Sequence, residues 1–290
     1  MSDRPKTLCA VTGSNGYVGS CVKAYFAACG WNVLELTRRP QPGARAVAFQ
    51  LGADVPPSTL ACVDALVHCA YDFKPLHWSE IRAVNVEGTR KLFQAAQAAG
   101  VRKIIYISSL SAFPGCRSLY GRAKLESEGI ARDGQAEVLR PGLVYGNTPG
   151  GMFGKLVAQI RRSSMVPLVG GGTQIQYLAH QEDLCAFVEK LAMQTQAPSR
   201  IFTVAHEQPW TFKALLLEIA RALHKDVKFR PLPWRFIWFA LKSAEACGLK
   251  LRFRSDSLVS LMYQNPQPDF SPNAAAGLAC RPFQITDLSL

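Results

Sequence analysis

Through the first half of the chain, short apolar runs of β-type composition alternate with segments whose apolar positions recur at helical spacing. Residues 7–11 read as a first strand, and a helical pattern over 18–29 follows it and stops at Gly30. Asn32–Thr37 reads as a second strand, 46–49 as a short third, and 65–69 and 103–108 as two more. Between those last two lies a long helical pattern over 79–99, closed by Gly100. Leu119–Asp133 predicts a further helix and 136–139 a further strand. Strands alternating with helices require crossovers, which are right-handed, and a parallel sheet covered on both faces. The expected fold class is therefore α/β, a doubly wound parallel sheet of Rossmann type.

The second half keeps a different rhythm. A Gly- and Pro-rich stretch over 141–154 interrupts the alternation, and helical patterns follow at 183–193, at 212–223 and after Pro233. This divides the chain into a sheet domain, residues 1–150, and a smaller mixed α/β lobe, residues 151–290, with some of the lobe returning to the sheet. A length of 290 residues suits one large or two small domains. With 48% apolar and 19% charged residues the composition is globular and not disordered.

Composition also removes several classes. The opening Met-Ser-Asp-Arg-Pro-Lys leads into an apolar strand without signal-peptide architecture. The apolar run at 236–241 is far short of the ~20 residues of a membrane span. Nine cysteines occur without a Cys-x-x-Cys pair, several of them, such as Cys9 and Cys69, inside apolar runs. They read as reduced, buried thiols of a cytoplasmic protein, with no disulfide framework and no metal site. The net charge of +12 suits anionic partners: phosphate groups, nucleic acid or an acidic membrane surface.

Thr12-Gly13-Ser14-Asn15-Gly16-Tyr17-Val18-Gly19 joins the first strand to the first helix. Gly13, Gly16 and Gly19 there allow a tight turn, close backbone approach to a pyrophosphate, and close helix–strand packing. The helix N-terminus adds unpaired N–H groups for the phosphates. At the first strand-to-helix turn of an alternating chain, this loop points to a dinucleotide. An NAD-type site wants an acidic residue at the end of the second strand, whereas this chain has Thr37-Arg38-Arg39. Guanidinium groups there favour the 2′-phosphate of NADP, with NAD as the alternative.

Tyr120 and Lys124 stand at i and i+4, on one face of a helix. A phenol titrates near ~10, and an ammonium with an oxidised nicotinamide nearby is expected to lower it. Ser109 lies just past the 103–108 strand, at the edge where such sheets present side chains to a ligand.

Taken in order, these residues resemble the extended short-chain dehydrogenase/reductase family, of NAD-dependent epimerase/dehydratase type, which contains nucleotide-sugar epimerases, dehydratases and ketoreductases. The resemblance runs over nearly the whole chain. Asp64-Ala65-Leu66-Val67-His68-Cys69-Ala70 is similar to the family's fourth-strand segment beside the cofactor, and Asn85-Val86-Glu87-Gly88-Thr89 to its asparagine-containing helix motif. Arg140-Pro141-Gly142-Leu143-Val144-Tyr145-Gly146 matches the strand and turn leading to the substrate lobe, and His180 with Asp183-Leu184 a later marker. The resemblance implies Ser109, Tyr120 and Lys124 as the catalytic set. Ser109 would bind the reacting oxygen, Tyr120 would move its proton, and Lys124 would tune Tyr120 and hold the ribose. The implied cofactor contacts are the loop residues Gly13, Asn15, Gly16, Tyr17, Val18 and Gly19, with Arg38, Arg39, Gln50, Leu51, Cys69, Ala70, Asn85, Lys124 and Pro141.

Departures from the family pattern narrow the chemistry. Dehydratases of the family carry Asp-Glu just after the serine or threonine; here Leu110 and Ser111 stand there, which argues against elimination of water. Gln176 replaces the arginine that often pins the diphosphate of a nucleotide sugar. The leading expectation is NADP-dependent reduction of a keto group, or oxidation of a hydroxyl, on a keto-sugar nucleotide. A nucleotide-sugar 4-epimerase with retained NAD, a reductase of a hydrophobic ketone and a non-enzymatic dinucleotide-binding protein are the alternatives. Family members often pair through the helices matching 79–99 and 119–133, so a homodimer is among the expected states.

Residues 225–254 hold eight basic side chains (Lys225, Lys228, Arg230, Arg235, Lys242, Lys250, Arg252 and Arg254) against Asp226 and Glu245, interleaved with Trp234, Phe236, Trp238 and Phe239. This segment reads as a grip on a phosphate-bearing substrate, an amphipathic helix resting on an acidic membrane, or a core helix with a solvated basic face. Without a recognition module, nucleic acid is not expected as a partner.

Overall fold

Seven parallel strands form the main sheet of the computed structural model, which describes residues 7–146, 148–194, 199–249 and 253–285. Six of them are β1 (Leu8–Thr12), β2 (Asn32–Thr37), β3 (Ala46–Ala48), β4 (Ala65–His68), β5 (Lys103–Ile107) and β6 (Glu137–Pro141). The seventh, Ile201–Val204, pairs with β6, so a segment from the second half of the chain completes the sheet. Across the sheet the order is Ile201–Val204, β6, β5, β4, β1, β2, β3. The chain therefore reverses its direction of winding at β1, and the carboxyl ends of β1 and β4 border the crevice that such a reversal opens.

The strands are continuous apolar runs because both faces are covered. All five residues of β1 are buried, and the period of two sends them to opposite sides. Leu8 and Ala10 join Leu36, Leu66 and Tyr106 under α3 (Glu87–Ala98) and α4 (Leu119–Asp133). Cys9 and Val11 join Val67 and Ile105 under α1 (Tyr17–Ala28) and α6 (Gln181–Met193). A fully buried Glu137 ties three strands together: it accepts from Lys103 Nζ at 3.3 Å, from Arg200 Nη2 at 3.2 Å and from the Arg200 amide at 3.0 Å.

The expected helix over 79–99 is interrupted. It consists of α2 (Trp78–Ile81), a π-helical turn at Arg82–Val86, and α3. The wide turn brings the buried Asn85 side chain onto the backbone of residue 72, accepting from its N–H at 2.7 Å and donating to its carbonyl at 3.1 Å. Side-chain hydrogen bonds of this kind lie outside what a 3.6-residue period reports. π-bulges of this sort concentrate at functional sites.

A third apolar cluster packs α5 (Gly151–Arg162) and α7 (Phe212–Ala222) around Tyr145, Phe153 and Phe283. Beyond it come α8 (Trp234–Ala246), α9 (Ser255–Met262) and α10 (Ser271–Ala276). Lys250 and Arg252 of the basic segment lie outside the described residues. Among the described residues no helix is long and apolar enough to cross a membrane.

Two helical glycines give opposite expectations. A Cβ on Gly19 of α1 would stand 2.2 Å from the Gly13 carbonyl oxygen, so the helix rests directly on the glycine loop. A Cβ on Gly129 of α4 would meet nothing within 4 Å. Thermal melts should show Gly129→Ala stabilised by about 0.5–1 kcal/mol through reduced unfolded-state freedom, and Gly19→Ala destabilised.

Candidate active site

The glycine loop turns sharply at Gly13, whose φ of +66° and whose contact with Ala70 both exclude a side chain: a Cβ would lie 3.0 Å from Ala70 N and Cα. Asn15 Nδ2 donates to Thr37 Oγ1 at 2.8 Å and binds the loop to the end of β2, where the exposed Arg38 and Arg39 follow. α1 starts from Gly16 with no side-chain cap and no acidic residue in its first turn, so its leading N–H groups and positive dipole end are left to an anion. Ser14 Oγ is buried there without a hydrogen-bond partner. An orphaned hydroxyl beside an uncapped helix end fits the phosphates of a dinucleotide. Tyr17 and Val18 turn their side chains to packing. The Tyr17 hydroxyl donates to Gln181 Oε1 at 3.0 Å, its ring lies against Gly150, and Val18 packs on the α1–α6 core.

Beside this loop runs a line of buried hydrogen bonds. Thr12 Oγ1 accepts from the N–H groups of Cys69 and Ala70, both at 3.1 Å, which leaves its proton for His68 Nδ1 at 2.7 Å. His68 Nε2 then carries the ring proton and donates to Thr89 Oγ1 at 3.0 Å, and Thr89 donates to the Asn85 carbonyl at 2.7 Å. Burial drives the His68 pKa down to about 3, so the ring is neutral, as this arrangement requires. Asn85 completes the line by holding the 71–73 segment through Asp72.

That segment supplies the wall of the candidate catalytic trio. Tyr71 meets the Tyr120 ring edge-on at 4.9 Å between centroids, and Phe73 stacks on it at 5.7 Å. Tyr120 sits in the first turn of α4, which three backbone N–H groups anchor. Ser118 Oγ accepts from Gly121 at 3.0 Å, while Asp256 of α9 accepts from Leu119 at 2.7 Å and from Tyr120 at 3.0 Å. At Gly121 a Cβ would lie 2.2 Å from the Ser111 carbonyl oxygen, so the helix closes onto the loop carrying Ser109. The Ser109 side chain is near enough to act on the Tyr120 phenol, and Ser109 Oγ accepts from Ser111 N at 3.1 Å. Lys124, buried one turn further on, donates to the Ile107 carbonyl at 2.7 Å and lies 4.7 Å from the Tyr106 ring centroid. Behind the trio, Glu128 accepts from Ser108 Oγ at 2.5 Å and from Arg140 at 2.6 and 2.8 Å, which fastens α4 to the ends of β5 and β6.

Desolvation dominates the electrostatics here. It pushes the Tyr120 phenol up to about 12, with the Ser109 hydrogen bond acting in the opposite sense, and pulls the Lys124 ammonium down to about 8. The sequence led us to expect a phenol lowered by Lys124. In the chain by itself burial outweighs that effect, and Tyr120 holds its proton.

The remaining candidates divide. Cys69 and Ala70 end β4 against the glycine loop, and Pro141 ends β6 with its carbonyl accepting from Leu110 N at 3.2 Å. Gln50 is exposed, whereas the Leu51 side chain is committed to the core. Asp256, Tyr71 and Phe73 were not foreseen, since no local spacing links them to Tyr120. In the second half, Gln176 and Trp210 stand opposite each other in an antiparallel pair, and Gln176 Nε2 and Trp210 Nε1 are buried without partners. Among the described residues no group of three His, Cys, Asp or Glu side chains could hold a metal ion.

The profile of the NAD dependent epimerase/dehydratase family matches residues 9–205. The chain belongs to that family. Ceramide reductase of Caulobacter vibrioides is 30% identical over 201 residues, covering 64% of this chain and 61% of that protein. UDP-glucose 4-epimerase of Vibrio cholerae is 26% identical over 267 residues, covering 81% and 80%. Against three other curated relatives the matched stretch spans 48% to 54% of their length. Among solved structures, MoeE5 in complex with UDP-glucuronic acid and NAD superposes with a TM-score of 0.67 at 20% identity, over 88% of this chain and 97% of that one. At that identity the likeness speaks for the fold.

The buried histidine of this family member sets an acid limit. Unfolded, His68 takes a proton near pH 6.5; folded, only near 3. Between those values the unfolded chain binds the extra proton, so acidification removes about 1.4 kcal/mol of stability per pH unit from this group. Denaturant titrations across that range should show a shallower pH slope for His68→Gln than for the wild type.

Proposed function

We propose that the enzyme reduces a keto group with NADPH, and that its substrate presents the carbonyl on an apolar, lipid-borne body. The observation that carries the reduction is Tyr120, half-buried under Tyr71 and Phe73 beside Ser109 and holding its proton. A reductase needs a proton donor at the carbonyl oxygen, and a phenol held protonated by burial is one. The dinucleotide, when bound, supplies the hydride. Ser109 orients the carbonyl oxygen, and Tyr120 gives that oxygen its proton as the carbon is reduced. Lys124, cationic below about pH 8, stabilises the phenolate left behind. Ser14, the uncapped end of α1 and the exposed Arg38 and Arg39 would hold the phosphates, the arginines favouring a 2′-phosphate.

An apolar substrate body is supported by the Tyr71–Phe73 wall on Tyr120 and by neutral Gln176 in place of a diphosphate-pinning arginine. The likeness to a ceramide reductase points the same way. The second reading is a keto-sugar nucleotide, favoured by the unpartnered donors of Gln176 and Trp210 and by the similarity to a UDP-glucose 4-epimerase.

Thermal-shift titration with lipophilic ketones and with nucleotide sugars, NADPH present, separates the two readings: stabilisation by nucleotide sugars alone would overturn the first. Tyr120→Phe should bind NADPH with unchanged affinity while turnover falls about 100-fold or more. Wild-type reduction should decline as pH rises through about 8, where Lys124 loses its proton. Replacing Thr37 by Asp together with Arg38 by Ala should invert the preference for NADPH over NADH, measured as the ratio of kcat/KM.

A further inference from the structure

α8 breaks the usual division of a surface helix. Its thirteen residues, WRFIWFALKSAEA, put apolar side chains on every side, a pattern that normally marks a helix enclosed by protein. Yet Phe236 is 77% and Phe239 is 67% exposed, one turn apart on the outer face with the exposed Ala240 and Ser243. Leu232 before the helix and Leu249 after it are exposed as well. The inner face carries Trp234, whose ring meets Tyr263 edge-on at 5.8 Å between centroids.

The exposed charges along residues 228–249 have one sign. Lys228, Arg230, Arg235 and Lys242 are all exposed. Between residues 228 and 249 the only carboxylate is Glu245, and it is turned inward, accepting from Ser255 N at 2.8 Å and from Ser255 Oγ at 2.6 Å. The other described basic residues of the segment are used internally: Lys225 donates to the carbonyls of Ile160 and Arg161, and Arg254 to those of Phe73 and Pro75. What remains outside is an apolar ridge flanked by cations.

We propose that the Phe236–Phe239 face of α8 docks the enzyme on an anionic lipid bilayer, the phenylalanines entering the acyl boundary and the flanking cations meeting the headgroups. Thirteen helical residues reach about 20 Å, too short to span, so the helix lies in the interface plane. A second copy fits poorly. An isologous contact brings the cations Arg235 and Lys242 against those of the copy, and two phenylalanines supply far less than the roughly 800 Å² per partner of a stable interface. The docking face is also joined to the chemistry. Glu245 of α8 holds Ser255, the first residue of α9, and the next residue, Asp256, caps α4 at Tyr120. A bilayer engaged by α8 is thus linked through α9 to the helix that carries Tyr120, which suits the lipid-borne substrate proposed above, although the docking itself stands without that reading.

Co-sedimentation of the full chain with vesicles of phosphatidylcholine, alone or mixed with phosphatidylglycerol, tests the docking without turnover. The wild type should pellet with the phosphatidylglycerol vesicles and be released when salt rises from about 0.1 M to about 1 M, where the screening length falls from about 10 Å to about 3 Å. Phe236→Ser with Phe239→Ser should weaken binding at least about tenfold, and Arg235→Gln with Lys242→Gln should abolish the preference for phosphatidylglycerol. Cooperative melts should show both variants folded. A wild type that ignores phosphatidylglycerol vesicles at low salt overturns the proposal. So does a folded serine variant that binds as well as the wild type, or a wild-type dimer in sedimentation equilibrium that the serine pair dissolves. If docking holds while lipophilic ketones give no thermal shift, the substrate reading alone is lost.

Discussion

The hydrogen bond between Thr12 and His68, at the carboxyl ends of β1 and β4, is the joint on which the site depends. Thr12 can donate to His68 Nδ1 because its lone pairs are already taken by the amides of Cys69 and Ala70. The orientation then passes through the histidine to Thr89 and the π turn, and from Asn85 to the segment that faces Tyr120. Every member of the line is buried or half-buried, so each lost partner would leave a desolvated polar group behind, at a cost of about 1–3 kcal/mol. One interaction thus sets both the glycine loop's floor, where Gly13 packs on Ala70, and the aromatic wall of the candidate catalytic trio.

Burial, more than charge pairing, defines the acid–base character of that trio. Tyr120 and Lys124 stand on one helix face, and in water the cation would make the phenol the stronger acid. Inside the protein each is driven toward its neutral form, the phenol upward and the ammonium downward. Part of the Lys124 charge is compensated by the Ile107 carbonyl, which costs the side chain its freedom and fixes its position behind the tyrosine. A charge brought into this low-dielectric space would act with little screening on the phenol–phenolate balance.

The second half of the chain takes part in building both the sheet and the candidate site. It contributes the seventh strand of the sheet, and it caps α4, the helix of the candidate trio, through Asp256. The carboxylate takes two of the first N–H groups of α4 and sits where the helix dipole favours an anion, so the position of Tyr120 is set from α9 as much as from α4. Arg254 adds a brace from the same segment to the carbonyls of Phe73 and Pro75.

Local chemistry was legible in the amino-acid order. The apolar runs of the strands, the helical spacing of 119–133 and the glycines at 13, 16 and 19 depend on neighbours a few residues away, and the observed elements follow them: β2 and α4 have the expected bounds, and the other five strands expected in the first half differ by a residue or two. The Tyr120–Lys124 pair was legible for the same reason. Tertiary structure alone decided the π turn, because Asn85 needs residue 72 beside it, and the Asp256 cap, because 136 residues separate Asp256 from Tyr120. It decided the direction of the Tyr120 shift as well, since desolvation is a property of what surrounds a side chain and not of its own segment. The same holds for α8. Its composition permitted a core helix or a surface one; only packing, which turned Glu245 inward and left Phe236 and Phe239 outside, distinguished them.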